Sequence, residues 1–236
     1  MQGFDPKFKD FPDYIIGITK EIWEDRGIAT LHEYYAKDIV VRMPSGVSTG
    51  NQGVIGATMA TLAEFPDRKL LGEDVIWSGT PETGMLSSHR ILSTATHLGD
   101  GGFGAATGKP LVYRIIADCH ARNNVIDDEW LVRDQGAIVR QMGWEAKAYA
   151  ADLIAREGGP AAATQPLCPK TDIQGPYKGR GNDNEWGVKY AAILERIMAA
   201  DLSVIPAEYD RAVQCEYPGG ITAYGPDAAD RFWMAL

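Results

Sequence analysis

Ionisable side chains crowd one stretch of this chain, residues 114–134. Leu111, Tyr113, Ile115, Ala117 and Cys119 alternate there with Val112, Arg114, Ile116, Asp118 and His120, the period of a half-buried strand. Asn123-Asn124 then supplies a tight turn, because asparagine tolerates positive φ. A hairpin folded at that turn sets Cys119 opposite Glu129, His120 opposite Asp128, Asp118 opposite Trp130 and Arg114 opposite Asp134. Glu129 therefore shares the face of the apolar set and points inward. A carboxylate in that position is either a general base or a satisfied structural or rim group. Asp134 closes the strand and opens a helix. It reads as an N-cap or as the ion-pair partner of Arg114, with a pocket role as the other reading. His89, in the middle of MLSSHRIL, and His97, at a strand end, are candidate acids or bases, since imidazole titrates near neutral pH. Ordinary hydrogen bonding within a strand explains each of them as well. The catalytic candidates are thus Glu129, His89 and Asp134. Trp23, Met43, Trp77 and Tyr113, with His97, are candidates to line a cavity for a flat apolar ligand, and core packing accounts for the apolar four equally well.

Other chemistries find no footing. Four histidines without His-x-His or HExxH spacing predict no metal site, and no GxSxG elbow is present. The loop 98–109 carries five glycines, yet it lacks the Lys-Ser/Thr ending of a phosphate loop and the Rossmann spacing, so it reads as a long hairpin loop. No cofactor is expected. With 23 Lys plus Arg against 32 Asp plus Glu, the net charge is -9, which repels nucleic acid and anionic membrane surfaces. No apolar run approaches the ~18 residues that span a bilayer, and MQGFDPKFKDFPD has no apolar secretory segment. Three widely spaced cysteines read as reduced thiols, so a cytoplasmic protein is expected.

The elements that must position these groups follow from periodicity. Residues 10–36 read as helix, with Ile15, Ile18 and Ile22 on one stripe and a break at Gly27. Residues 38–43 read as a short strand, and 51–63 as a helix with Asn51 as N-cap. Four strands are expected at roughly 70–78, 84–97, 110–122 and 125–134, then helix over 135–157. The Pro- and Gly-rich segment 158–182 reads as a linker. Residues 183–200 form a helix whose stripe contains Trp186, Tyr190, Ile193, Leu194, Ile197 and Met198.

The two ends of the chain also repeat. Residues 35–62 align without gaps on 209–236: the tyrosines, the Pro-x-Gly and the final leucine coincide. The second copy then stops where the first continues into its four strands. Either the natural chain runs beyond Leu236, or 183–236 docks on the first copy or on a neighbouring chain.

The order helix, helix, short strand, helix, four long strands resembles the cone-shaped nuclear transport factor 2-like fold. Particular motifs resemble the SnoaL-like polyketide cyclase family: Met43-Pro44-Ser45-Gly46 with Gly50, Thr96-His97-Leu98-Gly99, Ala106-Thr107-Gly108-Lys109-Pro110, the run 123–134, and Gln141-Met142-Gly143. The resemblance covers about 10–150, and in part 183–236. It implies an α+β cone in which a curved antiparallel sheet wraps helices around an apolar cavity. It also implies a cofactor-free lyase, isomerase/cyclase or hydrolase acting on an apolar carbonyl-type substrate, with a carboxylate taking a proton alpha to a carbonyl. Cone-fold epoxide hydrolases use carboxylates and an arginine instead, to activate water and protonate the epoxide. Anchored on Asp134 and Gln141, the family's catalytic aspartate falls at Leu131 and its partner histidine at Ala117, neither of which moves a proton. The alternative is a non-catalytic module that binds a small ligand or a partner. The expected organisation is a cone at 1–157, a linker at 158–182 and a partial second copy at 183–236. A homodimer is expected through the outer sheet face bearing Val112, Ile116, Trp130 and Val132.

Overall fold

In the computed structural model, which describes residues 1–176 and 184–236, the chain forms two compact units, Met1–Pro176 and Tyr177–Leu236. The first unit opens with α1 (Phe11–Thr19), a π turn (Lys20–Glu24), a 3-10 turn (Ile28–Thr30) and α2 (Leu31–Tyr34). Then come β1 (Tyr35–Met43), β2 (Gly46–Thr49), α3 (Asn51–Glu64), β3 (Lys69–Thr80), β4 (Gly84–Thr96), β5 (Pro110–Arg122), β6 (Val125–Arg133), α4 (Gln135–Gln141) and α5 (Ala146–Arg156). These six strands make one sheet in the order β2-β1-β6-β5-β4-β3. Only the β1–β6 pairing within it is parallel.

Local chemistry sets the boundaries. Asp10 caps α1 by accepting from the Asp13 amide at 2.9 Å, and a proline stands in the first turn. The expected helix to residue 36 ends at Tyr34 instead, because Tyr35 already pairs with Ile126. Asn51 is not an N-cap: Gly50, at φ 92°, holds that position, and the Asn51 amide donates to Tyr35 O at 3.2 Å. The helical stretch 135–157 is two helices, since the chain turns at Gly143, whose φ is 90°. Asn123 and Asn124 do adopt positive φ, and the β5–β6 register pairs Cys119 with Glu129, His120 with Asp128 and Asp118 with Trp130.

Two apolar clusters fill the cone. One joins α1 and β1 through Phe11, Tyr14, Ile15, Ile18, Ile22, Ile39 and Val41. The other packs α4 on the sheet through Ile138, Val139, Leu111 and Ile115. The linker reading fails over 158–176, because polar backbone can be tied down as well as buried. Ala163 is buried, Leu167 N donates to Pro44 O at 3.0 Å, and Arg42 Nε donates to Asp172 Oδ1 at 2.6 Å. Arg42, 1% exposed, also reaches Asp128 at 2.5 Å and the Ile173 carbonyl. Residues 177–182 of that segment lie outside the described residues.

The second unit contains α6 (Glu185–Met198), α7 (Val204–Glu208), β7 (Gln214–Tyr217), β8 (Ile221–Tyr224) and α8 (Pro226–Met234). Its own small core is Ile197, Val204, Ile205 and Ala229, with Ile193 and Trp233 against it. Of the expected stripe on α6, Trp186, Tyr190 and Met198 are exposed. Among the described residues no helix is long and apolar enough to cross a membrane.

Candidate functional site

Alternation along β4, β5 and β6 lays three rows of side chains on the inner face of the sheet. The first row is Ser87, Cys119 and Glu129, continued by Val41 of β1. His89, Ala117 and Leu131 form the second, and Ile91, Ile115 and Arg133 the third. Over these rows lie Ile15, Ile18, Thr19 and Trp23 from the first helical segment and Val54, Ala57, Thr58 and Thr61 from α3. The π turn swings Trp23 toward α3, where its indole Nε1 donates to Thr58 Oγ1 at 3.2 Å. Between sheet and helices sits a cavity of about 120 Å³. An engineered cavity of ~150 Å³ holds a benzene molecule, so this space accepts a ligand part the size of one ring.

The walls are mostly apolar, and the polar exceptions sit in specific places. Glu129 is buried, and burial raises its carboxyl to about 7. A hydrogen bond from the Tyr35 hydroxyl and the charge of Arg133 pull the other way, and Asp128 adds to the rise. Tyr35 and Cys119 are themselves pushed well above their ordinary values, by burial first and the nearby Glu129 next. His89 is lowered to about 4 by burial, so its imidazole is neutral at pH 7. The His89 Nε2 is buried without a hydrogen-bond partner. Glu129 and His89 stand two strands and one row apart, on the order of 10 Å across the sheet, with Cys119 and Ala117 of β5 between them. A carboxyl poised near neutral pH on the wall of a mostly apolar cavity can take up or release a proton. A neutral imidazole nearby can hydrogen-bond an oxygen as charge develops on it.

Not every candidate reaches this cavity. Glu129, His89, Trp23 and Met43 line it, as do Leu131 and Ala117, whereas Asp134, Trp77, His97 and Tyr113 are not among its lining residues. Asp134 caps α4, accepting from Ala137 N at 2.9 Å. Trp77 is on the edge strand β3, half exposed and edge-on to Phe11. His97 is fully buried in another network: Nε2 lies 3.2 Å from Glu64 Oε1 and Nδ1 lies 3.1 Å from Thr107 Oγ1. Glu64 also accepts from the amides of Gly102 and Phe103, so this pair pins the glycine-rich loop. Tyr113 packs in the second cluster. Tyr35, Arg68 and Arg133 are among the lining residues that were not candidates. Arg133 was within reach, because the alternation that turns Glu129 inward turns Leu131 and Arg133 inward too. Arg68 precedes β3 in an irregular turn, where no periodicity reports on orientation. Among the described residues no group of three or more His, Cys, Asp or Glu could hold a metal ion.

A family model described as SnoaL-like polyketide cyclase matches residues 14–142. Solved structures similar to the chain include IdmH from Streptomyces antibioticus. It is 23% identical, covers 56% of this chain and 97% of its own, and has a TM-score of 0.48. A SnoaL-like polyketide cyclase from Agrobacterium tumefaciens is 17% identical over 56% of this chain and 97% of its own, with a TM-score of 0.46. TsrD from Streptomyces laurentii is 14% identical over 57% of this chain and 98% of its own, with a TM-score of 0.47. No curated protein matches the chain.

Proposed function

Because the chain belongs to the SnoaL-like polyketide cyclase family, we propose that its first unit is a cofactor-free enzyme acting on a small carbonyl compound. Glu129 is its general base. The observation that carries this reading is a buried carboxyl, raised to about 7, on the wall of an apolar cavity. The Glu129 carboxylate takes the proton from a carbon alpha to a carbonyl, and the C–H electron pair moves into the carbonyl to give an enolate. His89 Nε2, neutral and without a protein partner, hydrogen-bonds the enolate oxygen. The enolate carbon then attacks a second carbonyl within the molecule, whose oxygen takes the proton back from Glu129, as in a cyclase; in a β,γ-unsaturated substrate the dienolate instead takes that proton at its gamma carbon, as in an isomerase.

Leu131 and Ala117 favour the alternative, a ligand-binding module, since the family's usual proton-moving positions are apolar here. The buried Glu129 weighs against it, because burying a carboxyl on the wall of an apolar cavity costs stability. The two readings separate in deuterium oxide. With a panel of small ketones and β-ketoesters, the enzyme reading expects NMR-detected exchange of the alpha proton above the buffer rate. Exchange should fall by about 10²- to 10⁴-fold in Glu129→Gln. No exchange with any member, or equal exchange in the variant, overturns it.

We further read the protein as a cytoplasmic homodimer and 184–236 as a partial second copy. Two parallel features support the second point. Gly50 N donates to Ile39 O at 2.8 Å, and Gly225 N donates to Val213 O at 2.8 Å. Both glycines have positive φ and precede a helix. The second hairpin carries one more residue in its turn, since Met43 pairs with Gly46 but Tyr217 with Ile221.

A further inference from the structure

We propose that Arg68 and Arg133 form an anion clamp at one end of the cavity, and that its ligand is a mostly apolar molecule of about one ring carrying a carboxylate. This rests on the reading that the cavity is the ligand site, and it names the ligand's class.

The first unit gives its other inward or crowded arginines carboxylate partners. Arg42 is buried and meets two carboxylates, Asp128 and Asp172. Arg90 and Arg114 share Glu73 at 3.3 and 2.9 Å. Arg68 and Arg133 form no ion pair among the described residues. Arg68 is 7% exposed, with its Nε donating to Ser93 Oγ at 3.3 Å and the Tyr113 phenol beside it. Arg133 Nε is buried with no partner. The two guanidiniums are close enough that the charge of Arg133 works against protonation of Arg68. Two like charges, one buried and one half-buried, facing one cavity with no ion pair among the described residues are unfavourable unless something anionic joins them.

Position adds direction. Arg133 is four residues from Glu129 on the same face of β6, a separation of ~13 Å along the strand. The cavity thus has a cationic end and a proton-transfer end, with Ala117, Ile115 and Leu131 between them. A ligand held by its carboxylate at the arginines lays its apolar body along that wall and presents its far end to Glu129. A carboxylate fits better than a dianion, because planar guanidinium forks match its two oxygens and the Glu129 charge opposes a second negative charge.

The test uses the full chain with benzoate and benzamide, which share a ring and differ in charge. Affinity is read by calorimetry or by ligand NMR. Benzoate is expected to bind roughly 10- to 100-fold more tightly than benzamide, to lose that advantage in Arg133→Gln and Arg68→Gln, and to keep it in Glu129→Gln. Equal affinity for both probes overturns the clamp and leaves the cavity reading standing. Binding of neither overturns the cavity reading and the clamp with it. Should an arginine variant fail to fold, the comparison of the two probes on the unmodified protein decides.

Discussion

Gly72 stands directly against His89: a Cβ built on the glycine would meet the imidazole Nε2 at 3.0 Å. The closeness follows from a bulge in β3. Pairing with β4 slips between Gly72 and Asp74, and Glu73 instead meets Arg114 and Arg90, at 2.9 and 3.3 Å. Gly72→Ala should therefore push His89 off its position and cost about 1–3 kcal/mol by overpacking. Urea unfolding reads the stability, and histidine ring shifts read the displacement. Unchanged His89 resonances in the variant would contradict this account of the bulge.

The pH dependence of stability should separate Glu129 from His89. The Glu129 carboxyl is raised to about 7, so the folded state holds its proton longer than the unfolded state does. Its contribution is complete below about 4.5 and lost as pH rises through about 7, a loss of about 3 kcal/mol. His89 runs the other way. Lowered to about 4, it contributes stability above about 6.5 that is lost as pH falls toward 4. The two nearly offset between pH 4.5 and 6.5, so the wild-type curve alone is uninformative there. Subtracting Glu129→Gln isolates one of them. The variant should gain on the wild type from pH 4.5 to 7 and hold that gain above 7, whereas a pH-independent difference would refute the assignment.

Arg42 ties the segment after α5 to the sheet through Asp172 and the Ile173 carbonyl while it meets Asp128. Its guanidinium also lies 5.2 Å from the Trp130 ring centroid. Arg42→Met removes the cation from the buried Asp128 carboxylate and should cost about 3–5 kcal/mol. Asp172→Asn is milder, because its carboxylate is a third exposed. It should chiefly speed limited proteolysis within 158–176. Cleavage at the wild-type rate in Asp172→Asn would show that the tie does not hold the segment.

Much of the fold was readable because it rests on period-2 alternation and turn residues. The pattern from Leu111 to Cys119, with Asn123-Asn124, was enough to set the β5–β6 register and to turn Glu129 inward. What escaped depends on partners distant in sequence. The tie from Arg42 to Asp172 spans 130 residues, and nothing local in the Pro- and Gly-rich segment announces it. Asp134 reads in sequence as a cap or as the partner of Arg114, with a pocket role as the other reading, and it caps α4. His97 looked like a site residue because its type suits catalysis, but its imidazole is taken up by Glu64 and Thr107. Gly72 carried no signal, since a bulge changes which face a residue takes without changing composition.

The outer sheet face carries Val112, Ile116 and Val132, all exposed, in one neighbourhood of β5 and β6. Trp130 is better covered. If this face joins two copies, sedimentation should give a dimer of the 25.7 kDa chain, and Ile116→Glu should release the monomer. A wild-type monomer at micromolar concentration would exclude that interface.

The ionisation of Glu129 can be watched directly. With glutamate labelled at the side-chain carboxyl carbon, the resonance that disappears in Glu129→Gln is assigned and followed by NMR from pH 3 to pH 9. The account predicts a midpoint near 7, and a higher one in Arg133→Gln, which removes a positive charge that favours the carboxylate. A midpoint near the ordinary 4.5 would mean that the carboxyl is solvated or paired, and that it is not the base of this cavity.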